Sequence, residues 1–151
     1  MIIYNIVMLH DFSDDCILDL LTNLKRDSSY KRRGQYFEDI NIGDRFIIRI
    51  SAGFNSFCKP KQTLSCLMNY EAVQIVLLEL RRFGDFNKYS TYNLMYPSKD
   101  ERFISCEWIN YFVDKWIPVS NDRAIGVNVP IYCIFDIIKD LDRVVRLQVF
   151  E

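Results

Sequence analysis

The chain reads as a single α+β domain over residues 1–151, with a mixed or antiparallel sheet and three to four packed helices. Three observations predict this class. The 151 residues are enough for one core. Half of them are hydrophobic and 15% are aromatic, which opposes disorder. Apolar stripes at helical spacing also alternate with β-branched runs, and no internal repeat, linker or low-complexity segment interrupts them.

The elements follow in order. Met1 to Leu9 is short, apolar and β-branched, and predicts a strand bounded by His10-Asp11. It has no basic leader or small-residue cleavage site and is too short to span a bilayer. Ser13 predicts an N-cap, with Asp14 and Asp15 in the first turn and Ile17, Leu20, Leu21 and Leu24 on one face. Lys25-Arg26 then close the last turn, where they complement the helix dipole. Residues 27–42 are polar and turn-rich. From Arg45 to Ile50 the pattern alternates, with Phe46, Ile48 and Ile50 opposite Arg45, Ile47 and Arg49.

Ser51 to Lys61 reads as a loop around Gly53 and Pro60, and Thr63 to Met68 fits either a strand or the start of a helix. Tyr70 to Arg82, capped by Asn69 and stopped by Gly84, predicts a helix. Its apolar residues cover most of its circumference, which makes it the central, most buried one. Residues 88–104 fit a hairpin with Pro97 to Glu101 as its loop. Ser105 caps a helix with Ile109, Phe112, Val113 and Trp116 as its stripe, ended by Pro118. A polar loop follows. Pro130 then opens a helix carrying Ile131, Ile134, Phe135 and Ile138, and the alternation from Arg143 to Phe150 predicts a closing strand.

Charge narrows the partners. With 19 basic and 20 acidic residues the net charge is −1, spread evenly along the chain, so bulk electrostatics favour neither a nucleic-acid nor a membrane partner. Five scattered cysteines without metal spacing predict reduced, buried thiols in a cytoplasmic protein. A single histidine, His10, rules out two-histidine metal and phosphoesterase sites. Cys16 is its one cysteine neighbour, and Asp14 and Asp15 beside Cys16 oppose a thiolate. Asp136 and Asp140 share a helix face at i, i+4 without a companion cleft motif. Glycine-rich phosphate loops and nucleophile-elbow patterns are missing from the sequence. Catalytic residues, metal ligands and cofactors are therefore not expected.

What remains is a surface. Lys25-Arg26 and Lys31-Arg32-Arg33 set five positive charges against Asp27, beside Tyr30. Tyrosine and arginine are the side chains that anchor protein interfaces. The expected binding residues are Tyr30, Lys31, Arg32, Arg33, Arg45 and Arg49, with Tyr30, Arg32 and Arg33 exposed on one patch. The expected function is a non-enzymatic protein-binding module, a small inhibitor or immunity-type protein that neutralises a partner such as a toxin or nuclease. The alternative is a small nucleic-acid-binding or nucleic-acid-processing protein using the basic 25–33 loop with Arg45 and Arg49.

Overall fold

The computed structural model describes residues 6–27, 35–85, 89–111 and 115–148. The elements are β1 (Ile6–Met8), α1 (Asp14–Asn23), β2 (Asp39–Ile42), β3 (Phe46–Ser51), β4 (Ala72–Phe83), β5 (Tyr89–Leu94), α2 (Glu107–Tyr111), β6 (Trp116–Ser120), β7 (Arg123–Pro130) and α3 (Cys133–Gln148). Short 3-10 turns occupy Leu67–Asn69 and Pro97–Lys99. The seven strands form one mixed sheet in the order β1-β2-β3-β4-β7-β6, with β5 also on β4. The β1–β2 pair is parallel and the other pairs are antiparallel. This is the α+β class with a mixed sheet, carrying three α-helices among the described residues.

Helix α1 follows its sequence signals at the start. The Ser13 side chain accepts from the Cys16 amide at 3.3 Å, and Asp14 and Asp15 occupy the first turn. Ile17, Leu21 and Leu24 are buried, as the stripe requires. The helix stops at Asn23, so Lys25 and Arg26 lie beyond it rather than in its last turn. Arg26 instead folds back as an anchor. It donates to the carbonyls of Leu64 (2.9 Å from Nε) and Ala52 (2.7 Å from Nη1) and to the Tyr70 hydroxyl (2.7 Å), with its guanidinium 4.5 Å from the Phe37 ring centroid.

The segment from Tyr70 to Arg82 is the centre of the molecule, as its apolar content demands, but it is the strand β4 and not a helix. Val73, Ile75 and Val76 are β-branched; Val73, Ile75 and Leu77 are buried in the core, while Gln74, Val76 and Leu80 alternate with them and are half-buried. One edge of β4 takes β3 over residues 74–79. The other edge takes β7 at residues 72–75 and β5 at residues 78–83. Two strands thus lie end to end along one, and Gly126 sits at the irregularity where β7 leaves. A Cβ there would come within 2.9 Å of Val129 and 3.0 Å of Trp116.

Four other expectations are corrected. Part of the polar 27–42 segment is β2, whose four residues are all buried. The hairpin partner of β5 is β4, while residues 97–105 form turns. Trp116 and Pro118 belong to β6, an outer strand of the sheet where a residue without an N–H is tolerated, and the polar loop after it contains β7. Helix α3 continues through Gln148, so there is no closing strand from Arg143 to that point. Ile134, Ile137, Ile138, Leu141 and Val144 form its buried face, and this helical repeat overrides the local alternation.

The core lies between one sheet face and the helices. Ile40, Ile42, Phe46, Ile48, Ile50, Val73, Ile75 and Leu77 meet Ile17 and Leu21 of α1, Trp108 and Ile109 of α2, and the α3 stripe. Each fully buried isoleucine or leucine contributes about 1.5–3 kcal/mol. No helix among the described residues is long and apolar enough to cross a membrane.

Candidate functional site

A step in the sheet creates a cleft lined by arginines. Strand β3 begins at Phe46, opposite Glu79, whereas β4 runs on to Phe83. The chain before β3 turns away through Gly43 and Asp44, both with positive φ (62° and 54°). A Cβ on Gly43 would lie 2.6 Å from Val145 Cγ1, so the turn packs tightly on α3. Between this turn, the end of β4 and the loop carrying Arg102 lies a groove of about 740 Å³.

Four arginines line it: Arg45, Arg81, Arg82 and Arg102. Two are committed to Glu79, whose side chain is 8% exposed. Arg45 donates to Oε2 from Nε (2.9 Å) and Nη2 (2.8 Å), and Arg102 donates to Oε2 and Oε1 at 2.7 Å each. Arg102 also grips Asp100 through Nε (3.0 Å) and Nη2 (2.7 Å). Both guanidiniums sit 5.7 Å from the Phe46 ring centroid. Burial alone would raise the carboxyls of Glu79 and Asp100, but the arginine hydrogen bonds outweigh it and hold both below their ordinary values. The two carboxylates in turn push the Arg102 guanidinium further up. Glu79, Asp100 and Arg102 therefore stay ionised near neutral pH.

Arg81 and Arg82 are exposed at the end of β4 and form no salt bridge among the described residues. The adjoining cavity, of about 570 Å³, shares Glu79, Arg81 and Arg102 but adds Asp100, Glu101 and Asp122. A basic groove thus abuts an acidic rim.

The residues expected to bind separate. Tyr30, Lys31, Arg32 and Arg33 lie outside the described residues. Arg45 belongs to the groove. Arg49 lies on the sheet face opposite the helices, 11% exposed and paired with Asp39 at 2.8 and 3.0 Å. Arg81, Arg82 and Arg102 were missed. Read as the end of a helix, adjacent arginines needed no further explanation, yet two consecutive charges closing an apolar run were the available signal.

His10, Cys16, Asp136 and Asp140 lie outside this groove. His10, Asp11 and Cys16 border a common cavity of about 380 Å³. The Ser13 amide and hydroxyl, joined by the Cys16 thiol, hold the Asp11 carboxyl below its usual value. Burial pushes the Cys106 and Cys133 thiols up to about 11. Asp140 accepts from Trp108 Nε1 at 2.7 Å and from Arg143 Nε at 3.3 Å. Among the described residues no group of three potential ligands is placed to hold a metal ion. All five cysteines are free of disulfides.

No family model, curated protein or solved structure matches this chain.

Proposed function

We propose that the protein is a non-catalytic binding module of the inhibitor or immunity type, which neutralises a partner protein such as a toxin or nuclease by docking an acidic surface in the Arg81–Arg82 groove. One observation carries this reading: among the described residues two exposed arginines form no salt bridge, beside a network whose arginines and carboxylates are paired. The Arg45–Glu79–Arg102–Asp100 network holds the groove's shape without reorganisation, which lowers the cost of docking.

The charge pattern favours protein over nucleic acid. A phosphate chain leaving the groove would meet Asp44, Asp100, Glu101 and Asp122. Mixed signs at close range disfavour an evenly charged phosphate backbone, whereas a flexible acidic polypeptide can seat its carboxylates on the arginines alone.

The test compares labelled poly-L-glutamate with a single-stranded RNA oligonucleotide by fluorescence anisotropy at low salt. Poly-L-glutamate binds, and Arg81→Glu/Arg82→Glu weakens it by about tenfold or more. Tighter RNA binding with a steep salt dependence transfers the function to the nucleic-acid alternative.

A further inference from the structure

Resting on that reading, we infer that the partner enters as an extended acidic segment that adds a strand to the open edge of β4 at Arg82. Main-chain geometry carries the inference. The Leu80 amide donates across the β3 edge to the Arg45 carbonyl (2.8 Å), while the Met95 amide donates to the Leu77 carbonyl (2.8 Å) from the opposite edge. In an antiparallel ladder consecutive residues point their N–H and C=O groups to alternate edges. Even-numbered residues of β4 therefore face β3, and odd-numbered ones face β5. Arg82 is the next even residue after Leu80.

Its partner in register would be Gly43, but the chain turns back there at φ +62° and packs on Val145. Among the described residues Arg82 is thus paired with Ser90 on one side only, and its main-chain donor and acceptor face the groove. A peptide backbone satisfies both groups, whereas a phosphodiester offers no donor to the carbonyl. Successive strand side chains point to opposite faces, so carboxylates on one face of the segment meet Arg82 and those on the other meet Arg81; the Nη1 of Arg45 also has no protein acceptor among the described residues. Main-chain pairing supplies register and the arginines supply selectivity.

The probe is a blocked peptide of repeating Thr-Glu, titrated into the ¹⁵N-labelled full chain, together with two versions N-methylated at alternate positions in opposite phases. The unmodified peptide shifts the amide resonances of Arg82, Gly43 and Asp44 and slows exchange of the Arg82 amide. Methylation in the phase facing β4 weakens binding by about tenfold, and methylation in the other phase leaves it within about twofold. Equal binding by both methylated peptides overturns strand addition. If Arg82→Gln still weakens poly-L-glutamate in that case, the groove reading survives. Failure of the Thr-Glu peptide to bind overturns the inference directly. Loss of arginine dependence with poly-L-glutamate removes the groove reading as well.

Discussion

Glu79 is the residue on which the cleft depends. Its carboxylate accepts four hydrogen bonds from two arginines, so Glu79→Gln leaves two guanidiniums crowded together without their counter-charge. Because Arg45 and Arg102 remain about a third exposed, water offsets part of the loss, and we expect a destabilisation of about 1–2 kcal/mol. The pH dependence has a definite sign. Glu79 and Asp100 titrate below their unfolded values, so their stabilisation is complete above the ordinary carboxylate range of about 4–5 and is lost as pH falls through the lowered values. Urea unfolding should therefore show the Glu79→Gln deficit at neutral pH and a smaller one in acid. Arg26→Met removes donors from two carbonyls and a tyrosine hydroxyl, and should cost about 2–3 kcal/mol in the same measurement.

At the scale of elements, the β2–β3 turn and the start of α1 give separable predictions. Gly43→Ala places a methyl group against Val145 at a φ that L-residues avoid, and should cost about 2–3 kcal/mol by thermal denaturation. Adding Val145→Ala relieves the contact but not the backbone strain, so the double variant recovers only part of that loss. Ser13→Ala deletes the oxygen that caps the Cys16 amide and should cost about 1 kcal/mol, with no change in the groove.

For the molecule as a whole, the helices and one sheet face share one continuous core, so its buried thiols report global unfolding. Cys58, Cys106 and Cys133 are buried, whereas Cys16 and Cys66 are partly accessible. A thiol reagent at mildly alkaline pH should modify Cys16 and Cys66 first, by peptide mapping. The buried three should react at rates that rise with urea in step with loss of structure. Early modification of Cys106 or Cys133 would show that α2 or α3 opens independently of the sheet.

Sequence alone determined what local interactions determine: the cap and apolar face of α1, the alternation of β3, the helical character of residues 134–138 and the centrality of 70–82. It also excluded a two-histidine site, because His10 has no companion. The type of the central element was settled by tertiary structure. A run apolar on all sides suits a buried helix or a central strand, and only the neighbours β3, β5 and β7 decide between them. The end of α3 was hidden for the same reason, since alternation at Val145 and Leu147 competes with a helical stripe that packing favours. The groove lay furthest from the sequence. Arg45, Glu79 and Arg102 are separated by 34 and 23 positions and meet because β4 runs on from Glu79 to Phe83 past the start of β3, a mismatch of strand ends that no local pattern encodes.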